Sequence, residues 1–271
     1  MLKIIELANQ PGSPSTRVES PVSPHEVKKW GTKGKLLPSY YFQPINGIDS
    51  GQLRMTNISV YSTTPWKEAN CISKTIMNFF RSSKNEKQKL PIITDATANI
   101  GGNTVSFHLY GFPCVNAVEM DPLTCEILKH NLQVYKLPTN NVYCCDYLSI
   151  YKNLTQDVVF LDPPWGGPDY KKAKSLDLYL GKKSDSCLEG KKSDSCLEGE
   201  HPSVNIIDIC VELFTNHRVT LIVLKLPTNY NLAGLMKRLP NMNFLTHKIY
   251  RHKAHSYNII YVWDEKMLVG S

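Results

Sequence analysis

The sequence lacks the features that define several large protein classes. No apolar run of 18 residues occurs among its 271 residues, so no transmembrane helix is predicted. Its 8 cysteines include no Cys-x-x-Cys pair and no Cys/His cluster with zinc spacing, which predicts reduced thiols and no bound metal. The run at residues 1–7 is short and charged, unlike a signal peptide. We therefore expect a soluble intracellular protein, with nucleus and cytoplasm both open.

A complete glycine fingerprint for dinucleotides is also missing. Without a G-x-G-x-x-G motif, the Gly-containing turn at residues 99–104 favours S-adenosylmethionine over a dinucleotide as the cofactor. This turn follows an apolar strand predicted from Pro91, and a helix is predicted to follow the turn. A doubly wound sheet begins its cofactor crevice in this way.

Acidic residues follow four predicted strands. Asp95 ends the first, Glu119 the second, Asp146 the strand predicted at 141–145 and Asp162 the strand at 158–161. Because the carboxyl ends of parallel strands meet at one edge of a sheet, these acids are expected to line the crevice. Glu119 is placed to bind ribose hydroxyls, and Asp146 to accept from an adenine amino group. A helix N-cap is the alternative for any single acid.

The most informative segment is residues 162–170, which read Asp-Pro-Pro-Trp-Gly-Gly-Pro-Asp-Tyr. This turn suits methylation of an exocyclic amine on a planar ring. The Asp162 carboxylate and the carbonyl beside Pro163 would accept the amine protons, while Trp165 would stack on the ring. The prolines restrict the backbone and remove amide donors. The pattern predicts a nucleobase substrate, and a plain surface turn after a buried strand is the structural alternative.

Five segments together resemble the trimethylguanosine synthase family of RNA cap guanine-N2 methyltransferases. They are residues 61–65, 95–104, 118–122, 163–170 and 226–229. The resemblance covers about residues 60–265. It implies an α/β fold, the class I (Rossmann-like) methyltransferase fold, with a mostly parallel seven-stranded sheet, helices on both faces and a small N-terminal extension. It also implies S-adenosyl-L-methionine as cofactor and transfer to guanine N2 of 7-methylguanosine-capped RNA, giving 2,7-dimethyl and 2,2,7-trimethylguanosine caps.

The resemblance further implies which residues form the site. Cofactor contacts are expected from Thr64, Asp95, Ala96, Thr97, Asn99, Gly101, Asn103, Thr104, Glu119, Met120, Asp146, Tyr147 and Asp162. Catalysis is expected from Asp162, Pro163 and Trp165. Substrate binding is expected from Pro164, Trp165, Lys225 and Asn229. Because 7-methylation makes guanine cationic, a Trp165 ring face would favour the methylated base.

The chain departs from the family pattern at three positions. Asn99 stands where the first loop usually has glycine, and Thr228 stands where an Arg commonly binds phosphate, so the cap phosphates would fall to Lys225 or to another lysine. Asp162 stands where many relatives have Ser; both accept an amine proton, and only the carboxylate adds charge. N6 methylation of adenine, or of another amine in RNA or DNA, and a catalytically silent cap-binding scaffold remain alternatives.

Composition divides the chain into three parts. Residues 1–60 are predicted to be a partly disordered arm, since 8–27 are rich in Pro and Ser, and residues 61–90 a helical extension with a helix at 66–81. Residues 82–89 would be a hinge or a plain loop. The methyltransferase domain is predicted at 91–265, with a surface loop at about 171–201. In that loop the nine residues at 182–190 recur at 191–199, which predicts a mobile duplicated loop or a lid over the site.

The formal net charge of +7 favours a polyanionic partner such as capped RNA. We expect a monomer that binds neither a membrane nor a metal. Near the end of the chain, apolar segments at 247–251 and 258–262 predict the closing antiparallel pair of a methyltransferase sheet.

Overall fold

The structure, a computed structural model, describes residues 2–8, 37–81, 90–181, 203–217, 219–251 and 254–265. Its strands, in chain order, are β1 (Leu2–Ala8), β2 (Ile92–Asp95), β3 (Cys114–Val118), β4 (Val142–Tyr143), β5 (Val158–Leu161), β6 (Tyr179–Leu180), β7 (Val204–Asn205), β8 (Leu221–Pro227), β9 (Asn243–Arg251) and β10 (Ala254–Trp263). Strands β6 and β7 pair with each other in a small antiparallel ribbon, and the other strands form one sheet.

The helices of the described residues are α1 (Pro38–Tyr41), α2 (Ser59–Ser62), α3 (Trp66–Arg81), α4 (Gly102–Leu109), α5 (Pro122–Val134), α6 (Tyr147–Ile150), α7 (Ile206–Asn216) and α8 (Leu232–Arg238). Short 3-10 turns lie at Ser50–Gln52 and Gly167–Lys172. Helix α3 has the predicted bounds, because Ile72, Ile76 and Phe80 recur on one helical face and are buried there. None of these helices is long and apolar enough to cross a membrane.

The main sheet has the strand order β1-β9-β10-β8-β5-β2-β3-β4. Strands β8, β5, β2, β3 and β4 are parallel neighbours, and β10 runs antiparallel to both β8 and β9. This confirms the predicted class I fold, including the closing antiparallel pair. The chain order reverses between β2 and β5, which is where ligands bind in open α/β sheets.

An eighth strand extends the predicted seven. Strand β1 pairs in parallel with β9, from Leu2 beside Phe244 to Ala8 beside Tyr250. Residues 2–8 belong to the segment predicted to be an arm. Their short pattern has no turn signal and no partner nearby in the chain, so only the exposed edge of β9 decides that they form a strand.

Several element bounds differ from the predictions. The strand predicted at 141–145 is limited to β4, because the chain turns at Asp146 to begin α6. Helix α7 begins at Ile206, since Val204 and Asn205 pair with β6. Strand β8 runs to Pro227, because β10 pairs along its whole length. The hinge at 82–89, the tandem repeat at 182–199 and nearly all of the Pro/Ser-rich segment at 8–27 lie outside the described residues.

Buried Asn131 of α5 binds the N-terminal segment, residues 37–64, to the sheet domain. Its Oδ1 accepts from the Arg54 amide at 2.8 Å, and its Nδ2 donates to the carbonyls of Arg54 and Ile100, each at 2.9 Å. Tyr41 also lies in this interface, where its hydroxyl donates to the Val60 carbonyl at 2.6 Å. Residues 37–64 therefore pack as part of the domain, directly beside the first cofactor loop.

The prediction of reduced thiols is wrong for one pair. Cys125 in α5 and Cys144 after β4 form a disulfide with a Cα–Cα distance of 5.7 Å. Spacing rules for Cys motifs could not find it, because the two residues are 19 apart and meet only when α5 packs on β4. The free cysteines in the described residues are Cys71, Cys114, Cys145 and Cys210.

Replacing Cys144 by Ser should lower the free energy of unfolding by about 3 kcal/mol, because a loop of this length is no longer closed in the unfolded chain. The measurement is denaturant unfolding without reductant. Cys145→Ser is the matched control and should change stability by about 1 kcal/mol or less. A reducing agent should bring the wild type to the stability of Cys144→Ser, and a wild type insensitive to reductant would contradict the bond.

Candidate active site

The predicted acids of the first and fourth strands meet at the carboxyl edge between β2 and β5. The Ala96 amide donates to the Phe160 carbonyl at 2.9 Å, and the Asp162 amide donates to the Thr97 hydroxyl at 2.8 Å. These bonds tie the loop after β2 to the turn after β5. The sheet therefore brings Asp95 and Asp162 to the point where the strand order reverses.

Asp95 is a buried carboxylate with incomplete hydrogen bonding. Thr104 donates to its Oδ2 at 2.7 Å, whereas its Oδ1 is buried without a hydrogen-bond partner. Burial is the main cause that raises the pKa of Asp95 to about 7; the carboxylates of Asp162 and Glu119 contribute to the rise, and hydrogen bonds from the Thr104 side chain and the Thr97 backbone oppose it. Such a group gains stability from a cationic ligand at Oδ1.

The start of helix α4 packs closely against Thr63 and Thr64. Gly101 has φ +99°, which a residue with a side chain rarely adopts, and it caps α4. A Cβ on Gly102 would lie 2.8 Å from Thr63 Cγ2 and 3.0 Å from the Thr64 carbonyl oxygen. Asn103 Nδ2 donates to the Thr64 hydroxyl at 3.0 Å. The glycine pair therefore permits a close approach of α4 to the end of the N-terminal segment.

Three buried polar atoms around this approach have no partner within the described residues. They are Asp95 Oδ1, Asn103 Oδ1 and Thr63 Oγ1. Two are acceptors and one is a hydroxyl that can donate. The amino-acid end of S-adenosylmethionine carries an ammonium and a carboxylate, which are the groups that such atoms can bind. The residues present therefore fit the cofactor.

Glu119 directly follows β3 and lies beside the same loop. Its Oε2 accepts from the Asn99 amide at 2.9 Å and its Oε1 from the Asp121 amide at 2.8 Å. Burial raises the pKa of Glu119, while these amide bonds oppose the shift. Each carboxylate oxygen has further acceptor capacity, so the fixed group can still accept from ribose hydroxyls.

Asn99 has the left-handed conformation expected at a glycine position, with φ +50°. Its side chain is held by helix α2: Ser59 donates to Asn99 Oδ1 at 2.9 Å, and Asn99 Nδ2 donates to the Ser62 hydroxyl at 2.7 Å. The departure from glycine thus ties the first cofactor loop to the N-terminal segment.

The remaining predicted cofactor residues lie farther along the edge. Asp146 caps α6 through a 2.9 Å bond from the Leu148 amide, so the N-cap alternative is realised there. Tyr147 is in the hydrophobic core, with its hydroxyl 3.2 Å from Gln156 Oε1. Met120 is 42% exposed, unusual for Met and suited to covering a flat ligand.

Lys225, in the middle of the buried strand β8, forms an ion pair with Asp162. Its Nζ lies 2.6 Å from Asp162 Oδ2 and 3.1 Å from the Ser62 carbonyl oxygen. The two side chains are only 5% and 13% exposed. A lysine that binds a phosphate group directs its ammonium at solvent, whereas the Lys225 ammonium is directed at the turn after β5.

Trp165 lies beside this pair and is partly exposed. Its ring is edge-on to Tyr170 with centroids 5.3 Å apart, and the Lys225 ammonium lies 5.7 Å from its ring centroid. The structure also buries Pro163 and exposes Pro164. The turn therefore places the Trp165 ring and the Asp162 carboxylate together around the Lys225 ammonium.

Asn229 stabilises the same turn through hydrogen bonds to its backbone. Its Nδ2 donates to the carbonyls of Tyr170 and Ala173, each at 2.8 Å. These bonds fix the segment that follows Trp165. The side chain stabilises the turn, and its contact with the substrate stays a prediction.

The sequence pattern does not indicate Ser59 as a site residue, and it leaves cap-phosphate binding to Lys225 or to another lysine. One signal was present: Lys225 is the only charged residue in the apolar strand Leu-Ile-Val-Leu-Lys-Leu-Pro. A lysine there must find an acidic partner, because an unpaired charge is costly to bury. The sequence does not say which acid that is.

Asp95 should make cofactor affinity depend on pH. The cofactor ammonium favours the charged carboxylate, so affinity should rise as the pH increases to about 7 and then level off. For one linked proton the dissociation constant of S-adenosylhomocysteine should fall about tenfold between roughly pH 6 and pH 8. Titration calorimetry measures this, and Asp95→Asn should bind more weakly with no such slope. A slope retained in Asp95→Asn would assign the proton elsewhere.

Relatives and solved structures give an independent view. A protein of Acanthamoeba polyphaga mimivirus without an assigned function is 31% identical over 208 residues, which cover 70% of this chain and 73% of that protein. Trimethylguanosine synthase of Schizosaccharomyces pombe is 37% identical over 120 residues, which cover 41% of this chain and 46% of the yeast protein.

Among solved structures, M. jannaschii TYW2 in complex with AdoMet has a TM-score of 0.42 at 14% identity, covering 79% of this chain and 82% of that one. A T. thermophilus 16S rRNA N2 methyltransferase in complex with AdoMet and guanosine has a TM-score of 0.45 at 13% identity, covering 73% and 43%.

The family comparison is decisive because it covers every strand of the main sheet except β1. The sequence profile of the RNA cap guanine-N2 methyltransferases matches residues 90–266, which contain the glycine turn, the acidic strand ends and the turn at 162–170. The chain therefore belongs to the RNA cap guanine-N2 methyltransferase family, whose members use S-adenosylmethionine.

Proposed function

We propose that this protein transfers methyl groups from S-adenosylmethionine to the exocyclic N2 amine of 7-methylguanosine RNA caps. The products would be 2,7-dimethyl and 2,2,7-trimethylguanosine caps. The observation that carries the proposal is the turn after β5, which holds Asp162 and Trp165 and is bonded to the loop after β2, next to the unpaired buried acceptors of Asp95 and Asn103. An amine acceptor and a stacking ring thus adjoin the cofactor residues.

The chemistry is a direct displacement. S-adenosylmethionine supplies an electrophilic methyl group when bound. The protein's part is to hold the guanine amine so that its lone pair leaves conjugation with the ring and points at the methyl. Asp162 and the carbonyl beside Pro163 accept the amine hydrogens, and Trp165 fixes the ring plane. After transfer the amine loses its proton to Asp162 or to water, so no covalent enzyme intermediate is needed.

The preference for a 7-methylated base follows from charge. The methylated ring is cationic, and an indole face attracts a cation by about 0.5–2 kcal/mol beyond ordinary stacking. The Lys225 charge beside Trp165 would oppose a cationic base, but its ion pair with Asp162 neutralises it. The cap phosphates then fall to lysines outside the pair, of which Lys171 and Lys174 are exposed just after the turn.

The decisive test is incubation with S-adenosylmethionine and either 7-methyl-GTP or GTP, read by mass spectrometry. One or two methyl additions are expected on 7-methyl-GTP, with a rate constant kcat/KM about 2- to 30-fold or more above that for GTP. Equal methylation of both would remove the cation argument. Transfer only to a cap-free oligonucleotide would favour an adenine or other base amine, and cofactor binding without any transfer would favour a scaffold.

Trp165→Ala should reduce methyl transfer to 7-methyl-GTP by about 100-fold or more, because a misplaced base loses the near-attack geometry. Affinity for S-adenosylhomocysteine should change by less than about threefold, since Trp165 contacts none of the buried acceptors around Asp95. Steady-state kinetics and calorimetry measure the two effects. Trp165→Phe keeps a ring face and should retain more activity, so equal loss in both variants would argue against stacking.

A further inference from the structure

The Lys225 ammonium is enclosed by four groups from three parts of the fold. Asp162 follows β5 and supplies the carboxylate at 2.6 Å, while the Ser62 carbonyl at the end of α2 lies at 3.1 Å. Two ring centroids complete the enclosure, Trp165 at 5.7 Å and Tyr257 of β10 at 5.3 Å. Every one of these groups stabilises a cation.

A buried pair of this kind has an energetic asymmetry. Removing one partner leaves the other as an uncompensated charge, whereas replacing both by neutral groups of similar size is often tolerated. Lys225 is 4% exposed, so water cannot take over the role of Asp162. The two side chains are therefore a unit.

We infer that Lys225 is a positioning residue for methyl transfer, which rests on the proposed function. It holds Asp162 Oδ2 and thereby sets the orientation in which the carboxylate meets the substrate amine. The Ser62 carbonyl and the two rings keep the ammonium from following the carboxylate outward. Lys225 also couples the amine acceptor to helix α2, whose Ser62 hydroxyl binds Asn99 of the cofactor loop.

This role differs from phosphate binding in what it predicts for kinetics. A residue that binds the cap phosphates contributes to binding of the capped substrate, so its replacement raises KM. A positioning residue acts on the geometry at the reacting amine, so its loss lowers kcat. A purely structural residue would lower the folded fraction and leave kcat per folded molecule unchanged.

The experiment is a double-mutant cycle with Lys225→Met, Asp162→Ser and the double variant, using 7-methyl-GTP and S-adenosylmethionine. Activity is expressed per site that binds S-adenosylhomocysteine, which removes any effect of unfolding. Lys225→Met should lower kcat about 100-fold with KM changed less than about threefold. The double variant should regain about tenfold or more of that loss, because Ser accepts the amine proton without needing a cation. Lys237→Met, an exposed lysine on α8, is the control and should match the wild type.

Three outcomes would overturn the inference. The first is a Lys225→Met variant with kcat within about threefold of wild type, and the second is an effect of Lys225→Met on KM alone. The third is a double variant whose loss in log kcat equals the sum of the losses in the two single variants. Failure of the proposed function would look different, because the wild type itself would then transfer no methyl to 7-methyl-GTP.

Discussion

The burial of one lysine charge is the constraint on which the active edge depends. Strand β8 lies in the interior of the sheet, and Lys225 would destabilise it unless an acid met its ammonium. Asp162 does so because the turn after β5 lies beside β8, so the ion pair joins this turn to the neighbouring strand. Trp165 and Tyr257 lie on either side of the ammonium. The Asp162 carboxylate thus has a fixed place at the carboxyl edge of the sheet.

The departures from the family pattern are accommodated by contacts within this chain. Asn99 replaces a glycine, and Ser59 and Ser62 bind its side chain. Asp162 stands where many relatives have Ser, and Lys225 balances its charge. Both compensations meet at Ser62, which binds Asn99 through its hydroxyl and Lys225 through its carbonyl. Residues 37–64 therefore contact the carboxyl edge of the sheet through Ser62, although the profile match begins only at residue 90.

The cofactor crevice illustrates what pattern reasoning captures. The positions of Asp95, Glu119 and Asp162 at strand ends could be predicted, because an apolar run followed by an acid and a turn residue is a local pattern in the sequence. The parallel sheet then had to bring those ends to one edge. The structure adds a capping or packing role for three other predicted site residues. Asp146 serves as a helix cap, Tyr147 packs in the core, and Asn229 supports the turn beneath Trp165.

The sequence by itself determined the sheet class, the helix at 66–81, the cofactor type and the turn at 162–170, because local periodicity and short motifs specify each of them. Only the tertiary structure decided the partner of Lys225, the Cys125–Cys144 bond and the pairing of β1 with β9. Each of these joins segments that lie apart in the chain. A residue's type shows that it needs a partner, but the packing of strands and helices selects which residue that partner is.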